Sequence, residues 1–129
     1  MIQTNLGPVL IVEDDLAIRE TLGELMRLEG FIPELAANGQ DAIRLLENGI
    51  RPCLILLDLM MPVMDGFAFR AKQMKDVRWA EIPVVIMSAD GNLQAKMEKL
   101  GGNLPSLRKP PDIDAVIDAV RRHCRAPAS

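Results

Sequence analysis

Short runs of β-branched and other apolar residues alternate along this chain with segments whose apolar residues recur at helical spacing. Pro8 to Val12 is the first such run. After it, Ile18, Leu22, Leu25 and Glu29 share one face of a predicted helix that Gly30 stops. Phe31 to Ala37 predicts a weaker strand, and Pro33 inside it, lacking an N–H, suits a sheet edge. Asn38-Gly39 opens a second helix in which Ala42, Ile43 and Leu46 recur before Gly49. Cys53 to Leu57 is apolar without alternation, the pattern of a strand buried on both faces. Asp65 is placed to cap a third helix with a stripe of Phe67, Ala71 and Met74. Ile82 to Met87 predicts a further strand, and Leu93, Met97 and Leu100 mark a short fourth helix stopped by Gly101-Gly102. Leu104 to Arg108 is the poorest strand candidate, because Pro105 sits inside it. Asp112 caps the last helix, with Ile113, Val116, Ile117 and Val120 on one side. Arg121, Arg122 and His123 close it, where cations suit the negative end of the helix dipole.

Strands and helices in regular alternation imply an α/β fold, a parallel sheet with helices on both faces. Composition narrows this further. A chain of 129 residues with 49% hydrophobic content fits one domain that buries a core unaided. With a net charge of −3 and 3% aromatics, the chain is a poor prospect for nucleic-acid binding by charge or base stacking. No apolar run reaches membrane-spanning length, and Met1 to Pro8 lacks the basic and apolar regions of a signal peptide. Cys53 and Cys124 cannot form a disulfide framework, so a reducing compartment is expected, with Cys53 an inert buried thiol.

In such folds ligands sit beyond the carboxyl ends of the strands. The first strand is followed by Glu13-Asp14-Asp15, the third ends in Asp58, the fourth in Ser88 and the fifth in Lys109. Carboxylates gathered in one cleft repel one another, so they need a cation or some must stay protonated. Oxygen ligands with no His or Cys nearby favour Mg²⁺, with Mn²⁺ as the alternative, over zinc. A carboxylate beside such a metal and an ammonium is also suited to accept a phosphoryl group. Helix capping explains Asp15 and Asp65 well but Asp58 poorly, since Pro62 separates it from the next helix.

In this setting the chain resembles the response-regulator receiver domains of two-component signalling. The resemblance rests on Leu10-Ile-Val-Glu13-Asp14-Asp15, Asp58-Leu-Met-Met-Pro62-Val-Met-Asp65-Gly66, Ser88-Ala89 and Lys109-Pro110, and it covers residues 8 to 124. It implies a flavodoxin-like, doubly wound, five-stranded sheet of order 2-1-3-4-5 with five helices in three α/β/α layers. It also implies one receiver domain over residues 1–129, with short tails and no output domain. Carried over by position, it makes Asp58 the phospho-acceptor. Asp14 becomes a direct Mg²⁺ ligand, Glu13 acts largely through water, and Met60 lends a backbone carbonyl. Ser88, Ala89 and Lys109 would bind the phosphoryl group, and Lys109–Pro110 is expected cis. No organic cofactor is implied.

The implied donor is a histidine kinase or a histidine phosphotransfer protein in bacterial cytoplasmic signalling, and the chain itself is not a classical enzyme. The fourth-helix, fifth-strand and fifth-helix face would meet a downstream protein or a second copy, with no nucleic acid and no membrane involved. One departure bears on output. The family often carries an aromatic three residues before the Lys, where this chain has Ser106. The loop holding Asp90 and Gly91 is then the expected switch. A phosphorylation-independent interaction module of the same fold is the alternative. An aspartyl phosphatase is disfavoured by Met60 at the place of its second Asp, and flavin binding by the missing hydroxyl-rich phosphate loop. Of Met60, Met61 and Met64, two are read as packing under the loop and none as binding a cofactor, and Trp79 is read as cover for a helix–strand junction.

Overall fold

The computed structural model describes residues 7–89 and 104–124, with positions 92, 95 and 98 between them. In chain order these form β1 (Pro8–Val12), α1 (Leu16–Leu28), β2 (Ile32–Ala36), α2 (Gly39–Glu47), β3 (Leu54–Asp58), α3 (Gly66–Lys75), β4 (Val84–Ser88), β5 (Ser106–Arg108) and α4 (Ile113–His123). The strands make one sheet of order β2-β1-β3-β4-β5, every pair parallel. Asn92, Ala95 and Glu98 are helical and exposed, whereas Leu93, Met97, Leu100 and the two glycines after them lie outside the described residues.

The continuous apolar character of the central strands has a direct cause. Leu10, Val12, Ile55, Leu57, Val84 and Ile86 pack on one side of the sheet, with Ala42, Ile43 and Leu46 of α2 and Phe69 of α3. Their neighbours Val9, Ile11, Leu54, Leu56, Val85 and Met87 pack on the other, with Leu22 and Met26 of α1 and Val116 and Val120 of α4. Both faces are thus covered, and alternation has nothing polar to show. Each fully buried side chain in these layers contributes roughly 1.5–3 kcal/mol of transfer free energy. As expected, Pro33 lies on an edge strand. β5 is short because Pro105 lies outside the ladder as a donor, although its carbonyl still accepts from Ile86 N–H at 2.9 Å.

Helix starts follow the sequence closely. Asp15, Asn38, Asp65 and Asp112 each accept a backbone N–H three residues on, satisfying a donor at the first turn. The buried face of α3 differs from expectation. Gly66, Phe69, Arg70 and Gln73 face inward, while Phe67 and Ala71 are half-buried and Met74 is exposed. Gln73 is the reason: its amide donates to the carbonyls of Trp79 (3.0 Å) and Ile82 (3.1 Å), and its oxygen accepts from Arg70 (2.7 Å). A satisfied buried amide rotates the helix, and hydrophobic periodicity cannot register it. Trp79 itself is buried at the α3–β4 junction, as expected.

The cysteines overturn a second expectation. Cys53 is half-buried rather than buried, and it is bonded to Cys124, with their Cα atoms 5.1 Å apart at a sequence separation of 71. β3 is a central strand, and α4 runs back over it, so the last turn of the helix reaches the strand's beginning. Sequence separation carries no hint of that proximity.

Candidate functional site

β1 and β3 carry the site in register. Val9 is opposite Leu54 and Ile11 opposite Leu56, so Glu13 and Asp58 continue two adjacent rows on the same side of the sheet. Glu13 is fully buried and Asp58 only 3% exposed, whereas Asp14 points to solvent. Carboxylate oxygens of Glu13, Asp14 and Asp58 lie within 4.8 Å of one another. Lys109 follows β5, and its Nζ lies 2.9 Å from Glu13 Oε1 and 3.3 Å from Asp58 Oδ2. Among the described residues, the Lys109 ammonium is the one cation in contact with those two buried oxygens.

The backbone finishes the cradle. Met60 N–H donates to Asp58 Oδ1 (3.3 Å), and Asp15 N–H donates to Glu13 Oε2 (3.0 Å). Arg19, which the sequence did not single out, donates to the carbonyls of Glu13 (2.7 Å) and Asp14 (3.3 Å) and so fixes the acidic turn. Its only signal is its place on the first turn of α1. Ser88 ends β4 one residue beyond Met87, the register partner of Asp58, and its carbonyl accepts from Lys109 N–H at 3.2 Å. Ala89 is exposed beside it, and Lys109–Pro110 is cis. Asp90 and Gly91, the expected switch loop, lie outside the described residues. Asp15 keeps to capping, Met61 and Met64 pack beneath the loop, and Met60 is 61% exposed.

Electrostatics make this a site under tension. Burial, then the charge of Glu13 and a hydrogen bond shared with it, push Asp58 from 3.8 up to about 7, against the opposing pull of Lys109 and Met60 N–H. Burial works against the charge on Lys109, but its contacts with Glu13 and Asp58 outweigh that and raise its pKa. One ammonium faces more negative charge than it can neutralise. Buried carboxylate oxygens that share a single ammonium, a third carboxylate open to solvent and an all-oxygen donor set fit a hard divalent cation.

The response regulator receiver domain family model matches residues 9–121. The chain belongs to that family. Among relatives, this receiver is 40% identical over 116 residues to sporulation initiation phosphotransferase F of Bacillus subtilis, covering 89% of this chain and 91% of that protein. It is 32% identical to the DNA-binding dual master transcriptional regulator RpaA of Synechocystis over 88% of this chain, which spans 47% of that protein. Its fold matches the receiver domain of the Francisella response regulator 1452 with a TM-score of 0.79 at 27% identity, covering 92% and 97% of the two chains. The receiver domain of sensor histidine kinase PA1611 from Pseudomonas aeruginosa, solved with magnesium coordinated in its active site cleft, matches with TM-score 0.79 at 25% identity and the same coverage. Receivers are regulatory phospho-acceptor domains of two-component systems that interact with histidine kinases or phosphotransfer proteins. Among the described residues, no helix is long and apolar enough to cross a membrane.

The loop between β3 and α3 carries a feature with a measurable cost. Val63 has φ 68°, a left-handed conformation that its branched Cβ opposes, and it is 83% exposed, so packing offers little in return. Val63→Gly should therefore stabilise the protein by about 1 kcal/mol, after allowing for the greater freedom of Gly when unfolded. Urea denaturation checks this; an unchanged or lower midpoint would mean the loop holds no such strain.

Proposed function

We propose that this receiver takes a phosphoryl group onto Asp58 from a phosphohistidine of a histidine kinase or phosphotransfer protein in the cytoplasm. The observation that carries this reading is the convergence of Glu13, Asp14 and Asp58 on one cleft with Lys109 in contact. An ionised Asp58 oxygen attacks phosphorus, the P–N bond to the donor imidazole breaks, and the imidazole leaves with the bonding pair. Glu13, Asp14, Asp58 and the Met60 carbonyl would hold Mg²⁺, which when bound supplies charge against both carboxylates and phosphoryl oxygens. Lys109 is placed to neutralise a phosphoryl oxygen, and Ser88 to donate a hydrogen bond to one. The same residues assist later hydrolysis.

Two surfaces frame the exchange. An apolar groove of about 300 Å³ lies between α1 and the start of α4, lined by Ile18, Thr21, Leu25, Pro110, Pro111 and Ile113. It gives a donor helix a seat next to the cleft. Ser106, at the start of β5 and exposed, takes the place of the usual switch aromatic, so output passes through the loop after Ser88 instead. The face built on β5 and α4 is where a downstream protein or second copy would read that change.

The test is phosphorylation of the full chain with radiolabelled acetyl phosphate. Label should enter with Mg²⁺, be lost with EDTA, fall to background in Asp58→Asn and fall at least about tenfold in Lys109→Ala. Retained label in Asp58→Asn would overturn the assignment. No label in the native protein would favour the phosphorylation-independent module.

A further inference from the structure

We propose that Cys53 and Cys124 form an exchangeable redox pair whose disulfide clamps the last turn of α4 to the start of β3. The geometry supplies the partners and the route. Cys124 is the C-cap of α4 and is 3% exposed, packed with Val9, Leu54 and Val120 on the α1–α4 side of the sheet. Cys53 immediately precedes β3 and is half-buried. Their Cα atoms, 5.1 Å apart, lie within ordinary bridging distance.

The dithiol form is provided for as well. Cys53 Sγ lies 3.3 Å from the Pro8 carbonyl, which also accepts from Cys53 N–H at 2.9 Å. A bonded sulfur has no proton to donate, so that approach is a mere contact in the disulfide and becomes a hydrogen bond in the thiol. Cys124 in turn keeps hydrophobic surroundings that suit a buried thiol.

Unequal exposure orders the exchange. A small thiolate attacks Cys53 sulfur, forms a mixed disulfide there and expels Cys124 as thiolate. A second small thiolate then attacks the mixed disulfide, releasing the Cys53 thiolate and a small-molecule disulfide. The reverse sequence, with oxidised glutathione as oxidant and two reduced glutathiones as products, closes the bond. In a reducing compartment the dithiol is the resting form, and oxidative load closes the clamp.

Its effect falls on α4. That helix starts just after Lys109-Pro110-Pro111 and is held at its far end by the cystine and by an Arg121–Glu29 ion pair to the end of α1. With the bond open, the end of α4 is held to the rest of the described fold by the ion pair and by the packing of Val116, Ala119, Val120 and Cys124, with no covalent tie. β3 separates the cystine from Asp58 at its opposite end, so the bond governs the mobility of α4 without touching the acidic cleft.

The experiment equilibrates the full chain over a series of glutathione ratios, quenches in denaturant with a maleimide and counts modified cysteines by mass. In excess oxidised glutathione neither cysteine should be modified, and in excess reduced glutathione both should be. Reduction should lower Tm by roughly 5–15 °C and cut amide protection in the last turn of α4 by roughly tenfold or more. Cys53→Ser, at the more tolerant half-buried position, should melt identically with and without dithiothreitol. A bond that stays closed at every ratio, or never closes, overturns the proposal. So does reduction that leaves Tm and exchange unchanged. None of these readouts uses phosphorylation, so their failure leaves the receiver reading standing.

Discussion

Asp58→Asn should raise the stability of the metal-free protein at about pH 8 by about 2–4 kcal/mol. In the folded chain Asp58 holds its proton up to about 7, whereas the ordinary carboxyl value is 3.8. Between those values the folded state binds more protons than the unfolded state, so stability falls as pH rises and the loss is complete above the folded value. Asn keeps the shape, carries no charge and removes that penalty, although it gives up the attraction of Lys109. The gap between variant and native protein should therefore be large at about pH 8 and nearly close near pH 4, where folded Asp58 keeps its proton and the unfolded carboxyl has lost only about half of its own. Mg²⁺ should narrow it from the other side, stabilising the native protein much more than the variant. Urea melts in EDTA at the two pH values check this. A gap independent of pH, or a variant less stable at high pH, would show that Asp58 is not under electrostatic tension.

Gly66→Ala should destabilise the protein by about 2–4 kcal/mol, despite the better helix propensity of Ala. A Cβ at Gly66 would sit 2.6 Å from the Asp58 carbonyl oxygen and 2.8 Å from Leu59 Cα. Both are backbone atoms at the end of a central strand, and neither can swing aside as a side chain would. Gly66 N–H also donates to the Leu59 carbonyl at 3.0 Å, which holds the two segments together. Relief of the clash must displace Asp58 itself, so phosphoryl incorporation should fall along with stability. Gly49→Ala is the contrast. Nothing lies within 4 Å of its added methyl, and the φ of +102° alone sets a cost of about 1 kcal/mol. Equal costs at the two glycines would mean that conformation, not the contact with Asp58, decides the first.

Much of the fold was legible because the central strands have no competing pattern. Pro8–Val12 was delimited residue for residue, and the four capped helix starts were visible in Asp15, Asn38, Asp65 and Asp112. The acidic cleft was legible for a different reason. Parallel sheets collect ligands at one edge, so the carboxyl ends of the strands were enough to gather Glu13, Asp14, Asp58 and Lys109. The features that stayed hidden depend on contacts that composition does not encode. Gln73 turns α3 because two carbonyls beyond the helix need a donor, and no apolar stripe signals that. Cys53 meets Cys124 because a helix returns across the sheet. The left-handed Val63 and the grip of Arg19 on the acidic turn likewise belong to the folded backbone rather than to residue type.

The central claim is that Asp58, among several nearby acids, accepts the phosphoryl group. Borohydride reduction of the acetyl phosphate-treated protein, with peptide mass mapping of the product, reads the acceptor directly, because an aspartyl phosphate is reduced to homoserine while an ordinary carboxylate is untouched. Homoserine at position 58 alone is the predicted result. Homoserine at 14 or 15, or none in protein that carries label, would contradict it.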